Sequence, residues 1–181
     1  MKGIPTAIPD VLAIEPAVHG DARGYFYESW NQRAFDAAVG REVRFVQDNH
    51  SSSGRGVLRG LHYQVASAQA KLVRVIEGEV FDVAVDLRRS SPTFGRWVGE
   101  RLSGQNRRML WVPEGFAHGF LVMSDAAQFL YKTTDYYAPE HERTLLWNDA
   151  RLAIAWPLEG MPLLKPKDAA GTPLAQAETF A

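Results

Sequence analysis

The stretch KLVRVIEGEVFDVAVDL, residues 71–87, decides the fold class. Two β-branched runs, 71–76 and 80–87, flank Glu77-Gly78-Glu79. β-Branched residues suit the extended chain, and a glycine between them suits a tight turn, so the stretch predicts a hairpin. In the second run Val80, Asp82, Ala84 and Asp86 face one way, while Phe81, Val83, Val85 and Leu87 face the other. That alternation predicts a half-buried strand.

Similar short runs lie on either side, at 43–48, 57–64, 96–102, 108–112, 118–123 and 127–134. Turn-forming clusters separate them: Ser51-Ser52-Ser53-Gly54, Ser90-Ser91-Pro92, Ser103-Gly104-Gln105-Asn106 and Pro113-Glu114-Gly115. Helical patterning is sparse. Asn31–Val39 predicts one short helix stopped by Gly40, residues 139–150 a turn of helix, and the Ala- and Pro-rich end of the chain a loop with a weak helix. Many short strands in one unit predict an all-β domain over residues 1–181, a jelly-roll sandwich or barrel with a few short peripheral helices.

Composition narrows the function. With 46% apolar and 23% charged residues the chain has the balance of an ordinary globular domain, which argues against disorder. Twenty basic residues against twenty-one acidic ones give a formal charge of -1, which speaks against nucleic-acid or membrane-surface partners. There is no cysteine, so thiol nucleophiles, thiolate metal sites and disulfides are excluded. Pro5, Pro9 and Asp10 interrupt the start of the chain, which does not read as a signal peptide. No apolar stretch approaches the ~20 residues of a membrane helix. A cytoplasmic location is expected, and the Asn49-His50-Ser51 sequon carries no weight there.

Common catalytic motifs are missing. There is no phosphate-binding P-loop and no Gly-x-Ser-x-Gly elbow. The glycines of Gly54-Arg55-Gly56-Val57-Leu58-Arg59-Gly60 have the wrong spacing for a dinucleotide site and open a strand, not a helix. His141-Glu142 lacks the second histidine of a helix-borne zinc site. Two of the five histidines stand out. His62, in Arg59-Gly60-Leu61-His62-Tyr63-Gln64, and His118, in Gly115-Phe116-Ala117-His118-Gly119-Phe120, put a polar ring inside apolar strands, where burial demands a partner. Arg59, Lys71 and Arg74 also fall on core strands. A lumen lined with such groups would suit an anionic, hydroxyl-rich ligand. Alternation leaves open whether Arg59 and Lys71 face that lumen or solvent.

An ordered set of blocks then resembles one family. It comprises Gly20-Asp21-Ala22-Arg23-Gly24-Tyr25-Phe26-Tyr27-Glu28-Ser29, Gln47-Asp48-Asn49-His50-Ser51, residues 57–64, Gln69-Ala70-Lys71-Leu72-Val73-Arg74 and residues 82–88. Ser91-Pro92-Thr93-Phe94-Gly95, Pro113 to Phe120, Tyr131-Lys132, Trp147-Asn148-Asp149 and Trp156-Pro157 complete it. Together they resemble the dTDP-4-dehydrorhamnose 3,5-epimerases, over about residues 4 to 175. The resemblance implies a cupin-like jelly roll. Cupin metal sites use a His-x-His pair, but here the motif reads His62-Tyr63-Gln64, which points to a metal-free site.

The implied substrate is a thymidine-diphosphate sugar with a ketone at carbon 4, which acidifies carbons 3 and 5. Inverting each centre needs a base, an oxyanion stabiliser and an acid on the opposite face, and no cofactor. The resemblance makes His62 the base, Asp168 its orienting carboxylate, Tyr131 the opposing acid and Lys71 the cation near the enolate oxygen. It gives the diphosphate to Arg23 and Arg59, with His118 near the ligand, and places Glu28, Gln47, Asp48, Asn49, Glu142 and Lys167 as further binding positions. Phe26 and Tyr137 are candidate platforms for thymine. The segment 65–69 before Lys71 is more apolar than the family pattern and could shift the lysine. The family further implies a homodimer with exchanged N-terminal strands. Rival readings are a relative that inverts one carbon only, a ketoisomerase, and a sugar-binding module without activity.

Overall fold

A computed structural model describes residues 1–181. Its strands are β1 (Lys2–Pro5), β2 (Leu12–Glu15), β3 (Val18–Asp21), β4 (Gly24–Tyr27), β5 (Gln47–Gly54), β6 (Leu58–Gln64), β7 (Lys71–Glu77) and β8 (Glu79–Asp86). β9 (Trp97–Ser103), β10 (Met109–Val112), β11 (Phe116–Val122), β12 (Ala126–Thr133) and β13 (Glu142–Thr144) follow. Helix α1 (Gln32–Val39) lies between β4 and β5, and the single turn α2 (Pro166–Ala169) comes after β13.

The strands form two antiparallel sheets, ordered β1-β2-β10-β7-β12-β5 and β13-β6-β11-β8-β9, while β3 and β4 make a separate hairpin. The sheets face each other as a sandwich. Val73, Val75, Leu110, Val112 and Phe129 from one interdigitate with Val80, Ala84, Phe116, Phe120 and Val122 from the other. The residue 71–87 hairpin splits between the sheets, β7 joining the first and β8 the second, with Gly78 at φ +78° in the turn. Strands that follow one another in sequence but change sheet are what a jelly roll requires.

The expected half-buried β8 is instead buried on both faces. Val80, Asp82 and Ala84 point into the sandwich, and Val83 and Val85 lie under a second apolar layer. That layer is the C-terminal segment: Leu152, Leu174, Ala177, Trp156 and Phe180 pack against Leu61, Tyr63, Val83, Val85 and Leu87. The outer face of the six-stranded sheet is covered likewise by Phe35 of α1 with Trp30, Val43 and Phe45. Alternation reports only one face as apolar when the other meets water, so a strand in a middle layer defeats it.

Helix α1 forms where its signals lie. Asn31 accepts the Ala34 N–H at 3.0 Å as N-cap, and Gly40 ends the helix at φ +78°. The 139–150 region supplies one 3₁₀ turn at Pro139–His141 before β13. Two expectations fail together. The strand anticipated at 43–48 starts at Gln47, and the serines anticipated as a turn form its body. β5 pairs with β12 along its whole length, from Gln47 opposite Thr133 to Gly54 opposite Ala126. A continuous ladder outweighs the weak strand preference of serine.

Candidate active site

Two glycines set the geometry of one wall. Gly60 of β6 sits at φ +116°, and a Cβ there would stand 2.7 Å from Gly119 Cα; a Cβ on Gly119 would stand 2.5 Å from the Arg59 carbonyl. The backbones of β6 and β11 approach this closely only because neither position carries a side chain. Their register slips between His118 and Phe120, and His62 becomes the direct cross-strand partner of His118. Directly opposed residues share a face, so both rings point to the sandwich interior.

Each histidine has its own carboxylate. His62 Nε2 donates to Asp168 Oδ1 at 2.6 Å. Asp168 rides on α2 and is 2% exposed; its other oxygen accepts the Gly60 N–H at 3.4 Å. Burial alone would raise its pKa, but the His62 hydrogen bond and charge and the Gly60 N–H outweigh it and hold the carboxyl below its ordinary value. His118 Nε2 donates to Asp82 Oδ1 at 2.8 Å, with Asp82 wholly buried. Here burial dominates and pushes the carboxyl up, against the pull of His118 and Lys71.

The facing wall comes from the other sheet. Lys71, Thr133 and Gln47 lie in one cross-strand row of β7, β12 and β5, and Val73, Tyr131 and Asn49 in the next. Lys71 crosses the gap: its Nζ donates to the His62 carbonyl at 3.5 Å. Burial lowers the Lys71 pKa to about 8, opposed by Glu142 and Asp82. Burial raises the Tyr131 pKa, aided by Glu142 and opposed by Arg59. Lys71 is turned inward, and Arg59 lies along β5, its Nε donating to Ser53 Oγ at 2.9 Å.

The rim is polar. Glu142 of β13 accepts from Lys167 Nζ and, at 2.9 Å, from the Tyr137 hydroxyl. Burial works to raise the Glu142 pKa, but Lys167, Tyr137 and His62 lower it on balance. The Tyr137 N–H donates to Gln47 Oε1 at 3.1 Å. The apolar segment before Lys71 is pinned, since Gln64 Nε2 donates to the Ser67 carbonyl at 2.7 Å and Gln69 Nε2 to that of Asp135 at 2.8 Å.

Asn49 Nδ2, Asp82 Oδ2 and Thr144 Oγ1 are buried with no hydrogen-bond partner, and all three belong to strands that line this interior. Buried polar atoms without partners are costly, so their presence on strands that line one interior suits a polar occupant there. No group of three or more His, Asp or Glu is placed to hold a metal.

Four sequence-predicted residues lie elsewhere. Arg23, Glu28 and Phe26 are exposed on or next to the β3–β4 hairpin, Arg23 pairing only with Asp21 at 2.5 Å. The hairpin rests by Tyr25 under the Arg107 guanidinium, 3.9 Å away. Arg107 follows β9, beyond the end of the sandwich where Ser103 meets Glu79, whereas Lys71 and Gln47 lie at the opposite end. Asp48 alternates with Gln47 and Asn49 and so faces out, pairing with Lys132 at 2.9 Å. Asp82 and Thr144 are the interior residues that sequence reading missed. For Asp82 the signal was an aspartate in an apolar run; for Thr144 there was none.

The dTDP-4-dehydrorhamnose 3,5-epimerase sequence profile matches residues 5–176. The chain belongs to that family. The dTDP-4-dehydrorhamnose 3,5-epimerase of Pseudomonas aeruginosa is 64% identical over 180 residues, 99% of each chain. A crystal structure of the epimerase from Legionella pneumophila Philadelphia 1, in complex with dTDP-4-keto-L-rhamnose, superposes with a TM-score of 0.95 at 54% identity, covering 98% of this chain and 94% of that one. A 3'-monoepimerase from Streptomyces bikiniensis, in complex with dTDP-quinovose, is further off, at 35% identity and TM-score 0.89, covering 97% and 88%. This chain is thus an epimerase of the carbohydrate-acting isomerase class. No helix is long and apolar enough to cross a membrane.

Proposed function

We propose that the chain inverts carbons 3 and 5 of dTDP-4-dehydro-6-deoxy-D-glucose, giving dTDP-4-dehydro-L-rhamnose for dTDP-L-rhamnose synthesis. The observation that carries the proposal is the His62–Asp168 pair, 2.6 Å apart, facing Tyr131 and Lys71 across the gap between the sheets. His62 removes the proton next to the ketone. Asp168 holds Nε2–H, so the ring meets substrate through Nδ1 and its positive charge is stabilised. The electrons of the broken C–H bond move onto the ketone oxygen, where the Lys71 ammonium answers the developing charge. Tyr131, on the other wall, returns a proton to the opposite face.

The nucleotide half falls to Arg59, Gln47, Asn49, Glu142 and Lys167, with Tyr137 at the rim as the thymine platform, and His118 lies near the sugar. Asp48 joins them only if its Lys132 pair opens. Arg23 and Glu28 reach a site only in a homodimer, where the hairpin of one chain docks on the other. This is supported by the hairpin's isolation from both sheets, by the exposure of Tyr25 and Phe26, and by the free edge of β5 beside Gln47 and Asn49. A sugar-nucleotide substrate places the enzyme in the cytoplasm.

The test is proton NMR of dTDP-4-dehydro-6-deoxy-D-glucose in heavy water with the protein added. Deuterium at both carbons is the expected result. Deuterium at one carbon marks a mono-epimerase, and binding without exchange overturns the enzymatic reading in favour of a binding module.

A further inference from the structure

Asp82 is a buried charged group beside the site with no part in the steps above. It lies in the middle of β8, is wholly buried, and is flanked by the apolar core residues Val80 and Ala84. One oxygen accepts from His118 and the other accepts from nothing. A carboxylate in that setting is costly to the fold unless opposite charge lies close. Glu142 is answered by Lys167, and Asp168 by His62. The Arg59 guanidinium is turned to Ser53. His118 and Lys71 are therefore the groups left to balance Asp82, and both border the space where a ketone between His62 and Tyr131 would sit.

We infer that Asp82 is a positioning residue for the oxyanion: it holds Nε2–H of a doubly protonated His118 and balances that ring's positive charge, so that Nδ1–H donates to the enolate oxygen beside Lys71. His118 has two ring nitrogens, and with Nε2 bound to Asp82 only Nδ1 is left to meet a ligand. The same division of labour holds in the neighbouring pair, where His62 gives Nε2 to Asp168. The sandwich thus carries two histidine–carboxylate pairs on directly opposed residues of β6 and β11, one serving proton removal and one serving the charge that removal creates. A purely structural aspartate would be hard to explain here, since an apolar side chain among these neighbours would pack at lower cost.

The inference rests on the epimerase reading, and its test separates the two. Turnover and deuterium uptake by the unaltered protein test that reading alone. Asp82→Asn, His118→Asn and the double variant are then compared in kcat, KM and dTDP binding. Asp82→Asn is expected to lower kcat about 100-fold, the scale of losing one oxyanion contact. KM and dTDP affinity should stay within about threefold. The double variant should lose no more than His118→Asn does alone, as expected when one residue acts through the other. An Asp82→Asn kcat within threefold of the unaltered protein, or losses that multiply in the double variant, overturns the inference. Should Asp82→Asn not fold, ¹⁵N shifts of the His118 ring in the unaltered protein decide: a protonated Nε2 is expected, and a bare Nε2 overturns it.

Discussion

Asp168 meets His62 at 2.6 Å across 106 residues of sequence, the carboxylate arriving on a four-residue helix that rests against the strand bearing the histidine. Removing the ring by His62→Ala should abolish deuterium uptake while calorimetry finds dTDP bound within a few-fold of normal. Asp168→Asn should be nearly as damaging, with kcat down by about 10²–10⁴, because an amide can hold the wrong imidazole tautomer. If Asp168→Asn turns over normally, the pair is packing and not chemistry.

Lys71 sets an alkaline limit. Its pKa lies at about 8, so kcat should fall as pH rises through 8 and the ammonium that faces the oxyanion is lost. Glu142 and Asp82 help to keep that proton. Glu142→Gln should therefore move the limb to lower pH. Lys71→Arg, charged throughout, should remove the limb while lowering kcat overall. A pH–rate profile of the three proteins checks this, and a limb that ignores both changes would belong to another group.

How much of this was legible in the sequence depends on distance along the chain. Asn31 and Gly40 announced their helix because capping is local. His62 and His118 were conspicuous as polar groups in apolar strands. Their carboxylates were different matters: Asp168 came only from family resemblance, and Asp82 lay on the correct face with nothing to say that His118, 36 residues on, would meet it. Register across strands is a tertiary property. The serines of β5 misled for the same reason, since their ladder partner β12 lies far along the chain.

Asp86 makes a stability prediction. Arg88, Ser91 and Thr93 all donate to its buried carboxylate and overcome the upward push of burial, leaving a pKa of about 2. Its ordinary value is ~3.9. A depressed carboxylate stabilises the fold fully above the unfolded value and loses that contribution as pH falls through the folded one. Asp86→Asn should thus cost about 2 kcal/mol at pH 7, with the deficit shrinking between pH 4 and pH 2. Urea unfolding at pH 7 and pH 2.5 measures it; equal deficits at both would detach the effect from ionisation.

Shared sites can be tested by mixing. Arg23→Ala and His62→Ala proteins should each be nearly inactive. If the hairpin completes the partner's site, a heterodimer of the two holds one intact site and one doubly defective one. Random reassociation should then recover about one quarter of normal turnover. No recovery, with heterodimers shown to form, would confine each site to a single chain.

The covering of the five-stranded sheet by the C-terminal segment has a consequence for biosynthesis. A ribosome delivers the chain from its N-terminus, and both sheets can be laid down before that segment appears. Until then Leu61, Val83 and Val85 have no cover and His62 has no carboxylate. One event supplies both. Chemistry is switched on by the same packing step that hides the last large apolar surface, so a nascent or truncated chain is at once inactive and adhesive, a pairing of defects that quality-control factors are well suited to read.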